Sequence, residues 1–177
     1  MRRVSLVLIL ILTSCSSISN RNESITNFAS CSTILTRGMS ADGLFLPCLD
    51  GKGEVALGSI EGPALITVWA SWCTNCESQR PYLNKLYEEN KGKFQIIGVD
   101  VEEKSRDVGE QHALKKGMAY PHLYDPDGRT NKTFGPGIPV TQFINDKGAL
   151  VFQQIGPFTS YQELTEKVRK YLGVVVT

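Results

Sequence analysis

Cys73 and Cys76 stand two residues apart in Trp72-Cys73-Thr74-Asn75-Cys76, directly after the apolar run Ala64-Leu65-Ile66-Thr67-Val68-Trp69-Ala70. Such a run ending on such a pair places two thiols where a strand meets a helix. At a helix N-terminus, unpaired backbone N–H groups and the helix dipole favour a thiolate over a thiol. The thiolate is the species that attacks a disulfide. A second thiol one helical turn on is within bonding reach, so it can expel the partner and close an internal disulfide. A C-x-x-C pair also serves as half of a zinc site. Here no second pair exists, and the two histidines, His112 and His122, lie ten residues apart instead of at finger spacing. Thiol–disulfide exchange is therefore the chemistry expected of Cys73 and Cys76.

The elements that must hold this pair are legible from periodicity. Ala64 to Ala70 reads as a buried strand by its continuous apolar character. Leu83, Leu86 and Tyr87 fall at helical spacing, which predicts a helix from Asn75 to Glu89 with Pro81 inside it as a kink. Phe94 to Val101 reads as a strand and Arg106 to Lys116 as a polar helix. Leu123-Tyr124 forms a short strand before the turn Asp125-Pro126-Asp127-Gly128, and Arg129 to Phe134 a short helix. Asp50-Gly51-Lys52-Gly53 and Asn145-Asp146-Lys147-Gly148 are turn signals that predict hairpins from Leu44 to Leu57 and from Thr141 to Ile155. Tyr161 to Leu172 closes the chain as a helix. Strands alternating with helices, then a terminal hairpin and helix, predict an α/β fold: a central mixed β-sheet flanked by helices on both faces, with an N-terminal β-hairpin extension. The chain shows no internal repeat.

The N-terminus indicates where the chemistry takes place. Arg2 and Arg3 precede an apolar stretch, Val4 to Leu12, broken only by Ser5. This reads as an export signal, residues 1–14, too short to span a hydrocarbon core of about 30 Å. Leu12-Thr13-Ser14-Cys15 resembles the bacterial lipobox, which makes Cys15 a lipidation site; the alternative is an ordinary secretory peptide cut nearby. Residues 15–30, rich in Ser and Asn, read as a flexible tether, and residues 31–177 as one domain. Five cysteines are an odd count. With Cys15 assigned to lipid and Cys73 and Cys76 to exchange, Cys31 and Cys48 remain, and an oxidising compartment permits them a structural disulfide worth about 3 kcal/mol. The formal charge of +1 becomes −1 once Arg2 and Arg3 are removed, which gives no electrostatic case for nucleic acid.

Strand, Trp-Cys-x-x-Cys, a helix with a proline five residues beyond the second cysteine and a late Ile138-Pro139 before a hairpin resemble the thioredoxin superfamily. Within it, Trp69-Ala70-Ser71-Trp72-Cys73 and the leading hairpin resemble the TlpA/ResA-like membrane-anchored thiol-disulfide oxidoreductases. The Cys…Leu-Pro-Cys-Leu pattern from Cys31 to Leu49 is similar to actinobacterial members. The resemblance covers roughly Leu44 to Leu172. It implies a thioredoxin-like fold with Cys73 as attacking thiolate and Cys76 as resolving thiol. It implies that Pro139 is a cis-proline facing the dithiol, with the Ile138 backbone free to pair with a substrate strand. It also implies that Glu103, in Val101-Glu102-Glu103-Lys104, is an acid beneath the site that takes a proton from Cys76; a solvated loop glutamate is the other reading. Thr67 departs from thioredoxins proper, which carry a buried aspartate there.

Trp72 is expected to pack beside the dithiol and limit water access, with Trp69 plain core, His112 on a solvated helix face and His122 structural. The resulting expectation is a monomeric, lipid-anchored enzyme outside the cytoplasm that needs no cofactor. It exchanges disulfides with exported proteins and serves as a reductase of the cytochrome c maturation type, apocytochrome c among its substrates, with a membrane electron donor. Alternatives are an oxidant that inserts disulfides into secreted proteins, or a peptide-binding module without turnover. A copper carrier fits less well, since related copper chaperones use C-x-x-x-C plus a histidine.

Overall fold

The computed structural model describes residues 27–38 and 43–176. The apolar run becomes β3 (Ala64–Trp69), every residue of which is buried. A strand covered on both faces needs no polar alternation. From it the chain passes through α1 (Thr74–Glu89) to β4 (Gln95–Val101), then through α2 (Arg106–Lys115) to β5 (His122–Asp125). After the short α3 (Asn131–Phe134) come β6 (Val140–Ile144), β7 (Leu150–Ile155) and α4 (Tyr161–Leu172). The sheet order is β5-β4-β3-β6-β7, with β3, β4 and β5 parallel and β6 and β7 antiparallel. Asn145 closes the last hairpin, its side-chain oxygen accepting from the Lys147 and Ala149 N–H groups. Gly148 supplies the positive φ of +77° that the turn requires.

Residues two apart on a strand share a face, and this assigns the helices. Thr67 is bonded to Gln79 of α1, and Trp69 stacks on His112 of α2. Phe143, aligned with Leu65, packs on Tyr171 of α4. The three long helices therefore cover one face. On the other, Gln142, aligned with Ile66, donates to the Thr133 carbonyl of α3. A separate hairpin, β1 (Phe45–Pro47) and β2 (Glu54–Ala56), leads the domain. This is a thioredoxin-like α/β fold with helices on both faces. α1 continues through Pro81 to Glu89.

The N-terminal segment is built into this frame. Cys31 is disulfide-bonded to Cys48, with Cα atoms 5.8 Å apart. Cys48 bridges to Leu123 at the edge strand β5, and the Leu49 N–H donates to the His122 carbonyl. Arg37 binds the Asp146 and Lys147 carbonyls of the far hairpin. The fold begins earlier than expected. Phe28, assigned by composition to the tether, is buried edge-on against His122, and the Ala29 N–H donates to the Ala119 carbonyl. One buried phenylalanine is worth about 1.5–3 kcal/mol, enough to overrule a polar neighbourhood. The export signal, Cys15 and most of the tether lie outside the described residues. Among the described residues no helix is long and apolar enough to cross a membrane.

Candidate active site

β3 ends at Trp69, and four residues later Cys73 caps α1. The turn is closed by the Cys73 N–H donating to the Ala70 carbonyl. Cys73 Sγ accepts from the Cys76 N–H at 3.1 Å, so the sulfur lies where helix N–H groups stabilise negative charge. Cys73 and Cys76 form a disulfide with Cα atoms 5.3 Å apart. Both are buried, yet Cys73 opens onto a cleft of about 380 Å³ lined by Trp72, Thr74, Asn75, Gly137 and Ile138. The Ile138-Pro139 bond is cis, and the Pro139 carbonyl accepts from the Gly156 N–H.

Glu103 is not a solvated loop residue. It is 7% exposed, and its carboxylate accepts from the Ser71 N–H and from Ser71 Oγ at 3.0 Å. Glu102 takes up the turn instead, at φ +54°, with its side chain bonded to Asn131. Burial of Glu103 ties the residue two before Cys73 to the end of β4.

Trp72 lines the same cleft as Cys73. It is 57% exposed, held at the rim by its indole N–H donating to the Glu102 carbonyl at 3.3 Å. The preceding Ser71 is fixed inward by Glu103, which directs the next side chain out. Trp69 is buried as expected, but its indole N–H is engaged with His122. His112 is not on a solvated face: it stacks on Trp69 and shares a hydrogen bond of 3.0 Å with Glu77 of α1. Glu77 also binds Lys116 at 2.5 Å and Arg80 at 3.3 Å. Burial works to raise the Glu77 carboxyl, but bonding to Lys116, Arg80 and His112 holds it below the usual carboxylate range.

One ionisable residue of this region is not distinguished by the sequence pattern. Asp100, paired with Trp69 across β3 and β4, is completely buried, and neither carboxylate oxygen has a hydrogen-bond partner among the described residues. Burial first, and the charge of Glu103 second, push its pKa up to about 9. Opposite it α2 carries Gly109, where a Cβ would come within 1.8 Å of Asp100 Oδ2. The only signal in the sequence was a glycine, Gly109, in the interior of a predicted helix. Among the described residues, Cys31, Cys48 and Asp50 bring metal-ligating atoms together, but both sulfurs are engaged in their disulfide.

A C-x-x-C disulfide at the N-terminus of a helix that follows the central strand, with a cis-proline preceding β6, defines a thioredoxin-like disulfide oxidoreductase. The chain belongs to the AhpC/TSA family, whose pattern matches residues 39–153. It is 31% identical over 137 residues to the thiol-disulfide oxidoreductase ResA of Bacillus thuringiensis, covering 75% of this chain and 77% of that one. It is 31% identical over 138 residues to the thiol:disulfide interchange protein DsbE of Pseudomonas fluorescens, covering 73% and 72%. A Chlorobium tepidum structure described as a DsbE interchange protein superposes with a TM-score of 0.63 at 25% identity, covering 78% of this chain and 99% of that one. The chain is accordingly a thiol-disulfide oxidoreductase of the ResA/DsbE type.

Proposed function

We propose that the chain acts outside the cytoplasm as a reductase of disulfides in exported proteins, of the cytochrome c maturation type, held to the membrane through a lipid on Cys15. In this reading Cys73 attacks a substrate disulfide and forms a mixed disulfide. Cys76 then attacks Cys73 Sγ, the substrate sulfur leaves with its electron pair, and the Cys73–Cys76 bond closes. Trp72 and Ile138 flank the incoming strand, and Pro139 keeps the Ile138 backbone free to pair with it. Glu103 anchors the turn through Ser71 and supplies a carboxylate able to take a proton. A membrane electron donor re-reduces the pair, and the protein works as a monomer.

The observation that carries this reading is Cys73 as the cap of α1, its sulfur on the Cys76 N–H, at the edge of an open cleft. The Arg2-Arg3 and Val4 to Leu12 pattern, Cys15 in its lipobox-like setting and the Cys31–Cys48 disulfide support the compartment. The reduction potential of the Cys73/Cys76 pair in glutathione buffers tests the direction. A value near about −270 mV makes the protein a reductant; one near about −120 mV makes it an oxidant for secreted proteins and removes the cytochrome reading.

A further inference from the structure

Behind the dithiol, on the helix-covered face of the sheet, Cys76 lines a small cavity with Thr67, Trp69, Glu77, Gln79, His112 and Tyr120. Its volume is enough for about one water molecule. Tyr120 Oη in this wall is completely buried and has no hydrogen-bond partner among the described residues. Burial raises the pKa of that phenol, so its hydroxyl stays protonated and needs an acceptor. A single water held there would give the hydroxyl a partner and lie among the other polar residues of the wall.

We infer that His112, oriented by Glu77, accepts the Cys76 proton across this cavity when the mixed disulfide is resolved. The imidazole is fixed from two sides. Its plane stacks on Trp69, with ring centroids 5.7 Å apart at 26°. Its Nε2 lies 3.0 Å from Glu77 Oε1, and a carboxylate can only accept, so Nε2 carries a proton and the neutral ring keeps its lone pair on Nδ1. Imidazole is the side chain suited to taking a proton near neutral pH. The charged and titratable groups around it are Glu77 and Arg80 from α1, Lys116 beyond its own helix, and Cys76 and Tyr120 in the cavity wall.

The step balances. Cys76 S–H gives its proton across the cavity to the neutral His112 ring at Nδ1, and the thiolate attacks Cys73 Sγ. The Cys73–substrate bond breaks, the substrate sulfur departs as thiolate, and the imidazolium releases its proton to solvent. The dithiol is oxidised and the substrate disulfide is reduced. Glu77, which holds the tautomer, is a positioning residue, and this path adds to the carboxylate of Glu103.

The inference rests on Cys76 being the resolving thiol, and stopped-flow reaction of the reduced protein with 5,5′-dithiobis(2-nitrobenzoate) separates the two. The first nitrothiobenzoate released reports attack by Cys73, the second resolution by Cys76. His112→Gln should leave the first phase unchanged and slow the second at least tenfold at pH 7, with the gap closing toward pH 10 as Cys76 ionises unaided. Glu77→Gln should slow the same phase by a smaller factor, and it carries the test if the first variant does not fold. A second phase equal to wild type in both variants, or slowed by one factor at every pH, overturns the role of His112. Release of a single equivalent by the unmodified protein overturns the dithiol reading itself.

Discussion

The Trp69 indole N–H donates to His122 Nδ1 at 3.2 Å, beside the strand that delivers the active-site cysteines. The other ring nitrogen, Nε2, then carries the proton and donates to the Met118 carbonyl at 3.1 Å. A ring with both nitrogens used in this way is neutral, and complete burial lowers its pKa to about 4. Gly98 makes the packing possible, since a Cβ there would stand 2.1 Å from His122 Nδ1.

His122 therefore makes stability depend on pH. An unfolded histidine takes a proton near 6.5, and the folded one does not until about 4. The unfolded chain binds more protons across that window, so stability is fully present above about 6.5 and falls as the pH drops toward about 4. In an Asp100→Asn background, which removes the opposing titration of that buried carboxyl, urea midpoints at pH 7.5, 6 and 4.5 should decrease in that order. A flat series would mean that the ring is charged in the fold.

Asp100 acts in the opposite direction. Its folded pKa, about 9, lies above the ordinary 3.8, so the linkage favours the fold below 3.8 and this support is lost as pH rises to about 9. Asp100→Asn should raise Tm more at pH 8 than at pH 4, at about 2–4 °C per kcal/mol. Gly109→Ala should destabilise in the native background despite alanine's advantage of about 1 kcal/mol in helices, and lose that penalty alongside Asp100→Ala. Equal Tm gains at both pH values would show that Asp100 is not held protonated.

Glu103→Gln keeps the shape that receives Ser71 but cannot take a proton. Thiol exchange with a model disulfide at pH 7 should fall roughly 10- to 100-fold, on the low side for a positioned acid–base group. Thermal unfolding checks that the turn is intact. An unchanged rate with an intact fold would reduce Glu103 to an anchor for the turn.

Replacing Cys31 and Cys48 together with serine should cost about 3 kcal/mol in urea unfolding. The exchange rate of the folded variant should stay within about twofold, as expected of a disulfide that acts on stability alone. A large loss of exchange in the folded protein would place this pair in the redox cycle.

Much of the fold could be read from local pattern because its signals are local. β3 is one continuous apolar run, and both hairpin turns carry Gly with Asp or Asn where the backbone needs them. β5 was read as Leu123-Tyr124, yet it extends from His122 to Asp125, because a histidine and an aspartate buried by tertiary contacts look like strand ends. α2 buries only Gly109 and Ala113, so no apolar stripe shows which way it faces, and the inward turn of His112 was hidden with it. Phe28 was masked by its polar neighbours. The cis bond before Pro139 could be expected from resemblance alone, since most X-Pro bonds are trans.

The Cys31–Cys48 bond also determines how the domain bears mechanical load. A pull on whatever precedes Asn27 first meets Phe28 and Ala29, and at Cys31 it finds a covalent shortcut to Cys48 and onward to the edge of the sheet at Leu123. The intervening stretch, including the clasp of Arg37 on the far hairpin, is relieved of tension. Force applied to the N-terminus is thus delivered to the rim of the sheet through a bond that does not slip, while β3 and the turn carrying Cys73 remain off the line of strain.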